Sequence, residues 1–98
     1  MFKSLDRPEG VEPYVFGSVL NSRSGARDLD VLLVYDKSIV ASSRVYAAIS
    51  PLLRRLQDLA KLPVDPIVLS QEEERAERFI ELVGAIPLTD WLCSRHRK

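Results

Sequence analysis

Residues Leu29 to Tyr35 read Leu-Asp-Val-Leu-Leu-Val-Tyr, and no other feature of the chain restricts its fold as much. Strand side chains alternate between faces. Asp28, Asp30, Leu32 and Val34 therefore point one way, and Leu29, Val31, Leu33 and Tyr35 the other. Past the acids neither face is polar. A strand apolar on both faces is central in its sheet and covered on both sides.

The rest of the chain supplies neighbours and covers. Residues 1–12, with Pro8 and Gly10, read as a loosely held arm. Tyr14-Val15-Phe16 is a short β-prone run that ends at Gly17-Ser18. Ser18 is placed to cap a short helix through Val19, Leu20 and Asn21, and the small polar residues 21–27 form a loop. Residues 44–61 carry Val45, Ile49, Leu52, Leu56 and Leu59 at helical spacing. Pro51 interrupts that stripe, as a kink in one helix or as a fresh helix start at Ser50-Pro51; the unbroken stripe favours one helix. Val64 to Leu69 is a third strand, and Pro66 within it indicates an edge position. Ser70-Gln71-Glu72-Glu73 is a capping box. It opens a helix to about Val83 with Ala76, Phe79, Ile80 and Val83 on one face, and Gly84 ends it. Ala85 to Leu88 is a short extra strand, after which Thr89 caps a final turn with Trp91 and Leu92. The expectation is one α/β domain over residues 1–98, a mixed sheet of three to four strands with helices packed on it.

Composition excludes several classes. At 98 residues, 46% hydrophobic and 29% charged, the chain has the make-up of a folded domain. Zero formal net charge provides no global field toward nucleic acid or membrane. One cysteine, Cys93, excludes an internal disulfide framework and suits a reducing compartment. No apolar run approaches a membrane span, and the first residues lack the apolar core of a secretion signal. The expected location is cytoplasmic, with residues 93–98 forming a basic tail.

The chemistry lies in Phe16-Gly17-Ser18, a nine-residue spacer, and Asp28-Leu29-Asp30-Val31. Carboxylates at i and i+2 on a strand project from one face, about 6–7 Å apart at Cα, and converge on a hard cation or a metal pair. Oxygen ligands suit Mg²⁺, which takes one or two carboxylates and leaves the rest to substrate phosphates. Gly17 lets a phosphate approach the backbone, and a helix starting there aims its amides at the anion. The Ser18 hydroxyl adds a donor. Asp65, on the next strand, completes the metal site or accepts a proton from an attacking hydroxyl.

Phe16-Gly17-Ser18, Asp28-Leu29-Asp30-Val31 and Asp65, in this order, resemble the motif of the DNA polymerase beta-like nucleotidyltransferase superfamily, and particularly its minimal nucleotidyltransferases. The likeness covers roughly residues 13–88. It implies Asp28, Asp30 and Asp65 as catalytic acids and metal ligands for Mg²⁺, and Gly17 and Ser18 as the grip on a triphosphate. It further implies transfer of a nucleoside monophosphate, AMP from ATP by default, to an acceptor hydroxyl. Many minimal members have arginine after the Gly-Ser pair and serine before the first acid; here Val19 and Arg27 stand there. Arg23 or Arg27 is the substitute for gripping phosphate.

The rival expectation is a non-catalytic, antitoxin-like interaction module that binds a helical HEPN-type partner, as minimal nucleotidyltransferases often do in toxin–antitoxin pairs. A homodimer or such a partner would cover a sheet face that the short N-terminal segment leaves bare. Nucleic acid enters only as an acceptor. Glu72 to Glu74 complement a helix N-terminus and receive no catalytic role. Cys93 has no base near it in the sequence, His96 falls in a frayed tail and is not read as a ligand, and Trp91 is read as core rather than as a base-stacking platform.

Overall fold

The computed structural model describes residues 8–20 and 27–96, with the side chains of Ser18 and residues 94–96 left aside. Four strands form one sheet: β1 (Val11–Phe16), β2 (Leu29–Tyr35), β3 (Val64–Ser70) and β4 (Ile86–Pro87), in the order β3-β2-β1-β4. β2 runs parallel to β3 and antiparallel to β1, and β1 is antiparallel to β4. The helices are α1 (Val45–Ala60), α2 (Gln71–Glu77), α3 (Phe79–Val83) and α4 (Leu88–His96), with 3-10 turns at Gly17–Leu20 and Ser42–Arg44. The chain is thus an α/β domain with a mixed four-stranded sheet.

β2 occupies the interior position that its two apolar faces require, and six of its seven residues are buried. β3 takes an edge, where one side of the strand is free and a residue without an N–H is tolerated. One face of the sheet carries Val11, Val15, Leu29, Val31, Leu33 and Tyr35 into the main core. Val45, Ile49, Leu52 and Leu56 of α1 and Leu88, Trp91 and Leu92 of α4 close over it. α1 is continuous through Pro51. Both Pro51 and Ala47 are exposed, so the carbonyl that proline leaves without a helical donor can meet water. Among the described residues no helix is long and apolar enough to cross a membrane.

Several boundaries differ from the sequence reading. β1 begins at Val11, inside the expected arm, because the long β2 offers partners down to the Val11–Tyr35 pair. The Asp36 N–H donates to Gly10 O at 2.9 Å and extends that pairing. The Ser18-led helix is instead a 3-10 turn that starts at Gly17. Leu59, the last residue of the α1 stripe, is exposed. β4 is shorter than residues 85–88, since Leu88 is drawn into the core and opens α4 ahead of Thr89. α4 continues to His96, well into the expected basic tail. Residues 1–7 of the arm, loop residues 21–26 with Arg23, and Arg97-Lys98 lie outside the described residues.

The helix expected from Gln71 to Val83 is two helices. Arg78 adopts a left-handed conformation (φ 53°, ψ 44°) that ends α2 and leads into α3. Its N–H donates to Glu74 O at 2.6 Å, and its guanidinium holds Glu81 at 2.8 Å. Ala76 is consequently exposed, whereas Phe79, Ile80 and Val83 are half-buried. Gly84 ends α3 with φ 67° and its N–H on Ile80 O.

The capping box forms in full. Glu73 N–H donates to Ser70 Oγ at 3.1 Å, and Ser70 N–H donates to Glu73 Oε1 at 2.8 Å. Ser70 is buried. Ser70→Ala should therefore cost about 1 kcal/mol, read as a lower urea midpoint at unchanged slope.

Candidate functional site

Asp30 is the second residue of β2 and Asp65 the second of β3, and they are direct register partners in the parallel pair. Neighbouring strands lie about 4.8 Å apart, and partners in register share a face. Both carboxylates thus stand on one side of the sheet, opposite the main core. Phe16, at the end of β1, is the antiparallel partner of Asp30 and shares that face. Asp28 sits differently from expectation. It precedes β2 in an exposed bend, so strand alternation does not set its direction.

Gly17 packs directly on Asp30. Its φ is +85°, in the region that favours glycine. A Cβ there would collide with the Asp30 carboxylate, meeting Oδ2 first, then Cγ at 3.1 Å and Cβ at 3.3 Å. The Phe-Gly step is therefore packed on the acid: the glycine is what lets the chain turn and the carboxylate fit against it. The backbone of Ser18 follows in the 3-10 turn, while the proposed role of its hydroxyl lies outside the described side chains.

The Asp30 carboxyl is held above its ordinary value. Burial is the leading cause, followed by the negative charges of Asp65 and then Asp28. The three acids of the motif are thus within electrostatic reach of one another. Among the described residues, however, no three carboxylate, histidine or cysteine side chains form a group able to hold an ion between them. The donor set suits a hard cation in the way Mg²⁺ is commonly held, by one or two carboxylates with phosphate oxygens supplying the remainder. Asp30 and Asp65 are register partners on one face and are the two residues that could supply such carboxylates, while Asp28 contributes charge from the bend.

An aromatic wall flanks the acids, and sequence reasoning missed it. Phe79 of α3 meets Phe16 edge to face, with ring centroids 5.3 Å apart. The start of α3 is held by Glu74, whose carboxylate accepts the Ile80 N–H at 3.0 Å. Glu74 also lies near Tyr14, whose phenol is pushed up by burial, then by Glu12 and Glu74. Periodicity hid this arrangement, because an unbroken helix leaves Glu74 among the acids of an N-terminal turn. Arg78 offers no sequence signal for a left-handed break.

Other candidates stand apart. Arg27 is exposed just ahead of Asp28. A shallow concavity of about 440 Å³ at the turn from α1 into β3 is lined by Gln57, Asp58, Lys61, Leu62 and Pro63. It is near Asp65 in the chain, but none of the three acids lines it. No family model matches this chain, and neither a curated protein nor a solved structure matches it.

Proposed function

We propose that this chain is a magnesium-dependent nucleotidyltransferase domain. It would move a nucleoside monophosphate, by default AMP from ATP, onto an acceptor hydroxyl. The observation that carries the reading is the in-register pairing of Asp30 with Asp65 on one sheet face, with Gly17 seated on Asp30. The order of the motif in the sequence supports it too: a strand, a Gly-Ser turn, an acid pair at Asp28 and Asp30 that spans the bend and the start of the next strand, and a later strand with a third acid.

In this reading Asp30 and Asp65 would hold Mg²⁺, with Asp28 adding charge from the bend, and the ion would supply positive charge against the triphosphate. The turn at Gly17–Leu20 offers backbone amides to the phosphates. The acceptor oxygen attacks the α-phosphorus, the bond to the bridging oxygen breaks, and pyrophosphate leaves with that electron pair. Asp65 takes the proton of the acceptor hydroxyl. The acceptor hydroxyl would be carried by a partner protein, a second copy or a helical protein, or by nucleic acid.

The test is a pyrophosphate-release assay with Mg²⁺ and ATP, alongside calorimetry with a non-hydrolysable analogue. Asp65→Asn, which removes the proton acceptor together with a proposed metal ligand, should slow transfer at saturating Mg²⁺ and ATP by roughly 10²–10⁴, the usual contribution of a positioned proton acceptor. An Asp65→Asn chain with full transfer activity would remove that residue from the mechanism. Analogue binding without pyrophosphate release in the parent chain would instead favour the non-catalytic binding module.

A further inference from the structure

α3 has five residues and its side chains are only half-buried or exposed, so little apolar packing determines its position. Its polar anchors are specific. The Glu74 carboxylate accepts the Ile80 N–H at 3.0 Å, and the Glu74 carbonyl accepts the Arg78 N–H at 2.6 Å. Arg78, left-handed at φ 53°, turns the chain between these two bonds. The residue between Arg78 and Ile80 is Phe79, and its ring lies on Phe16, the register partner of Asp30. One carboxylate therefore links a helix break to the aromatic wall beside the acids.

We propose that Glu74 is a positioning residue for the acid site: by gripping the first turn of α3 it keeps Phe79 against Phe16, so that the wall beside Asp30 contacts the nucleotide when it binds. The nucleotide part rests on the nucleotidyltransferase reading; the positioning part does not. A hydrogen bond to an ionised acceptor is stronger than a neutral one, whereas the Arg78–Glu81 ion pair that also ties α3 is exposed on both sides and contributes little. Glutamine at position 74 keeps an acceptor oxygen for the Ile80 N–H, and alanine does not.

The experiment uses the full chain with Glu74→Ala, Glu74→Gln and Phe79→Leu. Ring-to-ring nuclear Overhauser contacts between Phe16 and Phe79 need no ligand. They should vanish in Glu74→Ala and persist in Glu74→Gln. Hydrogen exchange at the Leu82 and Gly84 amides, which close α3, should speed up roughly ten- to a hundredfold in Glu74→Ala. With ATP and Mg²⁺, Glu74→Ala and Phe79→Leu should each raise KM several-fold with kcat within about twofold, because the wall binds and does not react. Glu74→Gln should restore KM. A merely structural role would lower the melt and the active fraction without a KM–kcat split. Ring contacts intact in Glu74→Ala, or a Glu74→Gln chain as impaired as Glu74→Ala, would overturn the proposal. A parent chain that takes no nucleotide would end the nucleotidyltransferase reading and the nucleotide part of this one, while the ring contacts would still decide whether Glu74 positions Phe79.

Discussion

Asp30→Asn should eliminate measurable binding of Mg²⁺ with an ATP analogue while leaving the metal-free protein as stable as before, or more so. The two halves have one physical origin. Asp30 is partly desolvated and feels the charges of Asp65 and Asp28, so its ionised form is disfavoured in the fold, and a bound cation would relieve that cost. Changes one shell out from a metal already cost about 10–100-fold in affinity, so loss of a direct ligand should cost roughly a hundredfold or more. The stability half has a definite sign. A carboxyl whose folded value is raised favours the folded state fully below its unfolded value near 3.8, and that contribution is lost as pH rises through the raised folded value. In chelator, the melting temperature of Asp30→Asn should therefore match or exceed that of the parent at neutral pH, and the advantage should disappear below about pH 4. Unchanged nucleotide affinity would remove Asp30 from the site. A variant that melts far below the parent at neutral pH would contradict the electrostatic account.

Gly17→Val should produce the largest loss of stability among single changes at the site. The backbone at φ +85° disfavours any side chain, at about 1–2 kcal/mol for a residue with a Cβ, and branching at Cβ raises that cost. The new Cβ also enters the space held by the Asp30 carboxylate, so either the acid or the turn must move. Urea unfolding should show a loss of about 2 kcal/mol or more, with transfer activity lost as well. Pairing with Asp30→Ala separates the two causes. If contact with the carboxylate contributes, removing it should recover part of the stability of Gly17→Val, a non-additivity expected for touching residues. Full additivity would leave the backbone conformation as the whole cost. A Gly17→Val protein as stable as the parent would contradict the described turn.

The acids and their glycine were legible at different depths. The alternation of β2 makes Asp30 and Leu32 share a face whatever surrounds them. Pro66 marked β3 as an edge strand, and it is one. That Asp65 meets Asp30 in register was not legible, since a one-residue slip would have turned it to the other face. Gly17 was legible as a special position, but a sequence offers only the general reason, close approach of something to a backbone. The structure names Asp30 as the neighbour. Alternation alone puts Asp28 on the strand, whereas it lies in the bend before β2, because a period of two does not reveal where hydrogen bonding begins.

The local and periodic features of the chain determined its central strand, its edge strand, the capping box at Ser70 and Glu73, the α1 stripe up to Leu56 and the stop at Gly84. Each depends on interactions within a few residues, or on a burial pattern repeated along one element. The start of β1 at Val11, the brevity of β4 and the recruitment of Leu88 into α4 were decided by tertiary contacts. So was the meeting of Phe79 with Phe16. In these cases the partner is distant in sequence, and small local preferences yield to the larger free energy of pairing a long strand or burying a leucine.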